Sequence, residues 1–542
     1  MNKSDRLKIL LEKGYFPEEL PPPFNTSVLA KFRASVSQLW DALHVNYPHS
    51  AAELYSVPRV RQVRRHLAIV NPVAQFHLAK LIADNWITIR SHLRTSKYTL
   101  AVPEIEMDQD RAVPQPDFAL VSMRQIEISA LFDHALASDI SRFYGTLYTH
   151  VIPWALHTKT WCKQNLNTPQ YRTSLGALLD TAVRKGQENQ TLGIPVGPDT
   201  SRILSEIVAV AVDEYVQSAL SLDTTRAFRN VDDWYIGFDT ASEAEDAIAT
   251  LAMGCRTFEL ELNAEKTRTL HASSVIDGVW PTELREYRVG TGVRAQARSL
   301  EHFFAKSFQY AIDYPNHNVL NFSVKRTRSI RVSEQNWKIY ENFLLKAARA
   351  NMTVIPTVVQ ILTSYNHNGY SLNKDRIQKL IEDLVRRSAP LGHHAEVARA
   401  LFLAKALRIN ISQVSVTRIA SLENSVCALL ALDLRENNLI EGILDTSLWM
   451  LSMTASGLSS HMWLLAYEAD LKGWLQGIPP NFVDNDPHFS ILKRKGIAFY
   501  DIRRNVTHIK RITPKPRSAS LLLLLQQFTS QENMPMTSIR ID

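Results

Sequence analysis

Cysteine is scarce: the chain has three in 542 residues, Cys162, Cys255 and Cys427, and no CxxC pairing. An odd number at such wide spacing argues against a disulfide framework and against a structural zinc site, and fits a reducing compartment. Long hydrophobic runs are also missing. Ile207 to Val212 and Leu521 to Leu525 are among the longest, far short of the ~20 residues that cross a bilayer. The opening stretch MNKSDRLKILLEKGYF lacks an extended apolar region and a small-residue cleavage site, so a secretory leader is not expected. These absences predict a soluble, cytoplasmic protein without a membrane partner. There is no excess of acid either. A formal charge of +7 and a pI near 9.1 suit a partner carrying phosphates, although charge alone identifies none.

What is present falls into two textures. To about residue 290, strand-like and helix-like stretches alternate, and every short motif lies there. ELPPP at residues 19–23 blocks helix and sheet and reads as an extended lead-in. RVRQVRRHLAIVN, from Arg59 to Asn71, carries four arginines and then an alternating apolar run, as a basic loop feeding a strand would. VAQFHLAKLIADNWITI follows with helical spacing. From about Ala295 the pattern is helical almost throughout. WKIYENFLLKAARA, DRIQKLIEDLVRRSA, AEVARALFLAKALR, NSVCALLALDLREN and MWLLAYEADLKGWL each gather apolar residues on one face. Stacked helix pairs of the HEAT type are the natural packing, with an ordinary helical bundle as the alternative. His393 and His394 read as a helix start rather than as metal ligands.

The chemistry-bearing signal is a set of spaced aspartates. In ALASDISRFYGTLYTH, Asp139 follows a small apolar stretch where a strand would end and a helix begin. In FRNVDDWYIGF, Asp232 and Asp233 lie between two β-prone stretches, which places them at a hairpin turn. A strand-end aspartate and a hairpin pair can be neighbours in one sheet. Together they would hold magnesium, whose preference is for oxygen ligands. An Asp-Asp pair alone is more often a solvated turn. The order of motifs is what distinguishes this one.

Asp139 with two aromatics behind it, a Gly-Pro segment opening a helix, NVDD and LNAEKT together resemble the palm of reverse transcriptases. The resemblance implies an α+β N-terminal reverse-transcriptase fingers and palm domain over 1–290. An all-α C-terminal domain with HEAT-like helical repeats over 291–542 would follow. It makes Asp139, Asp232 and Asp233 metal ligands, with Ile140 offering its carbonyl, for two Mg2+ ions (Mn2+ in their place) held ~4 Å apart. Tyr144 would be the ring that excludes a ribose 2′-hydroxyl, whereas Phe143 reads as core. QTLGIPVGPDTSRILSEI resembles the second palm motif. Gly193 and Gly197 would let the backbone approach the nucleotide, and Ser201 and Arg202 would open the helix. Val196 replaces the family's usual glutamine, and Asn230 its more frequent tyrosine. Lys266 in LNAEKT would sit near the leaving pyrophosphate. RRHLAIVNP resembles the fingers motif, so Arg65, with Arg64 or Arg61, would grip the triphosphate through bidentate contacts.

GYFPEELPPPF, YTHVIPWALH, GIPVGPDTSR, WLLAYEADLKGW and GIAFYDI resemble the abortive-infection branch of antiphage reverse transcriptases, so the likeness spans nearly the whole chain. That branch implies DNA synthesis from dNTPs without a supplied template and a protein tyrosine as primer. It also implies a single-stranded DNA product, covalently attached, and a homo-oligomer. Tyr15 is a priming candidate, or else an anchor for the N-terminal arm. Two other readings share these residues: an RNA-templated reverse transcriptase using a noncoding RNA, and a non-catalytic helical scaffold. The basic segments KRTRSIRV (325–332) and ILKRKG (491–496) are expected to contact product phosphates.

Overall fold

In the computed structural model the described residues are 1–44, 46–60, 63–100, 102–114, 118–273, 279–506 and 509. Arg61 and the Leu521–Leu525 run lie outside them. The architecture is mixed α+β, with a C-terminal region built of helices.

Strands β1 (Glu53–Pro58) and β2 (Arg64–Ile69) form an antiparallel ribbon in which Val57 faces Arg65. The outer half of β2 is polar and its inner half, Leu67 to Ile69, is buried. Asn71 then caps the helix Pro72–Asp84 by accepting the amide of Val73, and the proline behind it fits the first turn, where no N–H partner is required. The strand expected in the 59–71 stretch is therefore present, as β2.

A second sheet carries the acidic motifs. Strands β3 (His134–Asp139), β4 (Ala227–Asn230), β5 (Asp233–Phe238) and β6 (Arg268–His271) pair in the order β4-β5-β3-β6, antiparallel throughout. Helices Phe118–Leu131 and Ala241–Thr257 pack against it. The second of these starts in a Thr240–Glu243 capping box, which satisfies amides that the first helical turn leaves open. The helix Asp199–Leu220 is buried on nearly all sides, as its run ILSEIVAVAV requires.

From Val279 onward, every regular element of the described residues is a helix. Glu334–Ala350, Lys374–Ser388, His394–Leu407 and Ser425–Glu436 fall on the helical stretches of the sequence to within a few residues. His393 caps and His394 begins their helix. MWLLAYEADLKGWL departs from expectation: its helix, Trp463–Leu471, stops early because Gly473 takes φ +65°. Lys374–Ser388 packs on His394–Leu407, that helix on Ser425–Glu436, and that one on Trp463–Leu471. No helix of the described residues is long and apolar enough to cross a membrane.

The two regions share one continuous hydrophobic core. Trp463 Nε1 donates to the carbonyl of Ile69 at 3.1 Å, and Asn71 Nδ2 to that of Leu458 at 2.8 Å. Phe499 stands against Tyr15, Phe16 and Trp463, and Tyr500 against Phe24. The last helices thus close back onto the N-terminal arm and β2.

Candidate metal centre

Asp139 ends β3 and Asp233 begins β5, and the two are direct partners across the ladder. Asp232 occupies the turn between β4 and β5, where its carbonyl accepts the amide of Ile140 at 3.1 Å. Carboxylate oxygens of Asp139, Asp232 and Asp233 lie within 4.8 Å of one another, a grouping that can hold a metal ion. Asp139 is buried, Asp232 half-buried and Asp233 exposed at the rim, so the cluster opens to solvent on one side. Three hard oxygen donors with an open side suit a hard divalent cation that keeps some of its water.

The electrostatics show how crowded the carboxylates are. Surrounding protein strips hydration from Asp233, and the charges of Asp232 and Asp139 add to this, pushing its carboxyl up to about 7. Asp232 is raised for the same reasons, loss of hydration first and Asp139 second. Cations offset part of the repulsion. Lys266 Nζ forms a short ion pair with Asp139 Oδ2 from a side chain that is 60% exposed. Partial burial costs this ammonium hydration, but its bond to Asp139, with Asp233 and Asp232 behind, outweighs that and holds it above its ordinary value. Asn263 steadies the same carboxylate: its amide N–H donates to the Asp139 carbonyl at 2.7 Å and its Nδ2 approaches Oδ1 at 3.3 Å.

Beneath the turn, Arg229 is fully buried and clamped by Glu206 and Asp213, at 2.6 and 2.7 Å. Its Nη1 donates to the carbonyl of Val231 at 2.6 Å. Val231 has φ +62°, a conformation costly for a β-branched residue, so the buried arginine braces a strained turn that aims Asp232. Asn230 pairs with Asp233 across this hairpin.

Residues from other elements surround the carboxylates. Arg65 lies within electrostatic reach of Asp232. So does Arg59, which also feels Asp139; loss of hydration, then repulsion from Arg65, lower its pKa. Sequence reasoning misses Arg59 as a site residue, although it opens the same arginine run. Tyr144 rests against the helix Asp199–Leu220 with Ser205 near its hydroxyl, and it too feels Asp232; burial raises its pKa. The glycine turn is tied to β2, because Ala68 N–H donates to the carbonyl of Val196 at 2.7 Å. Gly193 (φ +81°) and Gly197 (φ +126°) require glycine: a Cβ at Gly197 would stand 2.7 Å from Pro17.

Two expected participants are placed elsewhere. Arg64 makes a bidentate pair with Glu396 and donates to Ser56, so its guanidinium is committed to the helical region. Adjacent residues of a strand point to opposite faces, so Arg64 cannot join Arg65 at the carboxylates. Tyr15 is fully buried and donates its hydroxyl to the carbonyl of Val70 at 2.5 Å, a role of anchor rather than of accessible primer. Ser201 and Arg202 stand in the first turn of the helix Asp199–Leu220, as expected of residues that open it; Ser201 is buried, and Arg202 donates to the carbonyls of Val113 and Pro114. Arg61 lies outside the described residues. The sequence matches no protein-family model and no curated protein.

Proposed function

We propose that the protein is a DNA polymerase of the reverse-transcriptase type, with the sheet β4-β5-β3-β6 as its palm, the β1–β2 ribbon within its fingers, and HEAT-like helices behind. The observation that carries this reading is the meeting of Asp139, Asp232 and Asp233, from motifs almost a hundred residues apart, with Lys266 on Asp139. Magnesium bound there supplies Lewis acidity for attack of a primer hydroxyl on the α-phosphate of a dNTP, and charge to balance the pyrophosphate released. Arg65 and Arg59, both within electrostatic reach of Asp232, would hold the phosphates, as guanidinium groups do well. Lys266, held above its ordinary pKa by its pair with Asp139, would give the departing pyrophosphate its proton. Tyr144 is the ring under the sugar, and the glycine turn gives the base pair close access to backbone.

Synthesis without a supplied template, with the product attached to a protein tyrosine and a role in abortive infection, completes the proposal. Val196 in place of a polar residue is compatible with relaxed template use. Tyr15, being buried, is not the primer in this conformation. Purified protein incubated with dNTPs and magnesium should make DNA, and mass spectrometry should find it joined to the chain. Asp139→Ala or Asp232→Ala should lower incorporation by about a thousandfold or more while the protein stays folded, since several kcal/mol of barrier lowering rests on the metal ligands. Synthesis at the wild-type rate in either variant refutes the assignment.

A further inference from the structure

Two stretches far apart in sequence are knit into one strongly basic surface. Residues 284–299 contain four arginines and one acid, Glu286; residues 325–333 contain one lysine, three arginines and no acid. Tyr287 donates its hydroxyl to the carbonyl of Ser299 at 2.9 Å, and the amide of Gly290 donates to Ser299 Oγ at 3.0 Å. Gln296 Nε2 donates to the carbonyl of Arg331 at 3.1 Å, and its Oε1 accepts the amide of Ser333 at 2.9 Å. These bonds hold the two stretches side by side. Arg326 is spent on this joint, donating to the carbonyls of Leu284 and Arg285, and Arg328 reaches Gln360. Six other cations remain: Arg285, Arg288, Arg294, Arg298, Lys325 and Arg331. All are exposed, and none pairs with an acid among the described residues.

Unpaired positive charge in this amount costs self-repulsion, which a polyanion relieves. A second feature says which polyanion. His302 is exposed one turn along from Arg298, and its ring lies on that of Tyr287, centroids 5.5 Å apart and planes 29° apart. An exposed imidazole held in place by Tyr287, with its Nδ1 3.1 Å from the tyrosine hydroxyl, beside guanidinium groups suits an unpaired base, whose flat surface is available; duplex bases are buried in their own stack. A lipid headgroup offers nothing to stack. We infer that this surface binds single-stranded DNA, with phosphates on the six cations and a base on the His302–Tyr287 pair. That the strand is the protein's own product rests on the polymerase reading; the binding itself does not.

The test uses the full chain and a fluorescent oligothymidylate, read by anisotropy over a salt series. The quadruple variant Arg285→Gln, Arg288→Gln, Arg294→Gln, Arg298→Gln should bind at least about tenfold more weakly. Its log–log salt slope should be shallower by up to ~3, at ~0.7 for each phosphate that is no longer neutralised. His302→Ala should weaken binding about fivefold or more, by removing the platform for a stacked base, with the slope unchanged. Circular dichroism should show both variants folded, because every substituted side chain is exposed. Oligonucleotide affinity equal to wild type in both variants overturns the inference. So does tighter binding of an equal-length duplex, or binding of phosphatidylserine vesicles in place of the oligonucleotide. Failure of the polymerase reading is separable: unmutated protein that incorporates no nucleotide yet binds the oligonucleotide, and loses that binding in the quadruple variant, supports the surface alone, whereas incorporation with undiminished binding in the quadruple variant overturns the surface alone.

Discussion

Asp233 begins β5 at the open rim of the carboxylate cluster, with its carboxyl pushed from an ordinary 3.8 up to about 7. A carboxyl whose pKa is higher folded than unfolded binds its proton more tightly in the native state. Its contribution to stability is therefore whole below about pH 4, declines as pH rises through 7, and is lost above. Asp233→Asn removes the titration, so in metal-free buffer the thermal midpoint of the variant should gain on wild type between pH 4 and pH 7 and hold the gain at pH 8. Added magnesium should narrow that gap, because a cation stabilises the charged carboxylates. A gap independent of pH would mean that Asp233 is a solvated surface acid. Tyr144 makes a second test at this scale. Cutting its ring to alanine should raise ribonucleotide use relative to deoxynucleotide use, measured by competition in primer extension. An unchanged ratio would place sugar selection elsewhere. The three acids were expected together because the order of their motifs resembles that of a reverse-transcriptase palm, and their carboxylates do meet. The fate of the arginines was not legible in the sequence: strand alternation sends Arg64 to Glu396 and Arg65 toward Asp232, and only the partners on each face reveal which is which.

The hairpin between β4 and β5 is the element on which the centre depends. Its turn residue Val231 sits at φ +62°, and Arg229 holds the Val231 carbonyl while pairing with Glu206 and Asp213 in the interior. Replacing Arg229 by methionine would keep much of the volume but leave two buried carboxylates without their cation. Breaking a buried pair in this way costs about 3–5 kcal/mol. Denaturant titration of Arg229→Met should show a loss of that size, and incorporation should fall with it as the turn relaxes. A loss below about 1 kcal/mol would mean the turn is held by its ladder alone. The strands and turns around this hairpin were readable beforehand, since FRNVDDWYIGF has β-prone flanks and an acidic middle. The brace was not, because Glu206 and Asp213 belong to a helix whose apolar run gives no sign of which strand residue its two buried acids meet. Periodicity likewise found the helix ending at Leu471 but ran past its end, since apolar spacing continues through Trp474 while Gly473 turns the backbone.

At the scale of the whole molecule, a change of texture near residue 290 in the sequence does not become a division of the core. Phe499 and Tyr500 lie against Tyr15, Phe16 and Phe24, and a backbone bridge joins Phe24 to Tyr500. Trp463, fully buried, donates to the carbonyl of Ile69 on β2. Glu53, also buried, accepts from Asn424 and from the amide of Ser425 at 2.7 and 2.5 Å. Arg399 reaches the carbonyls of Glu19 and Leu20. Cutting the chain at 290 would expose these aromatic faces to water and leave the carboxylate of Glu53 without its helical donors. Each aromatic side chain so exposed forfeits about 1.5–3 kcal/mol of burial, against a total stability of only about 5–15 kcal/mol for a typical domain. Residues 1–290 alone should therefore fail to unfold cooperatively, and should bind a hydrophobic dye, whereas the full chain should melt in a single transition by circular dichroism and tryptophan fluorescence together. Mixing with residues 291–542 should restore the transition in part, because the surfaces that meet are complementary. A fragment 1–290 that melts cooperatively on its own would show that the shared core is dispensable. The helical region would then be a separate module and not a wall on which the β1–β2 ribbon depends.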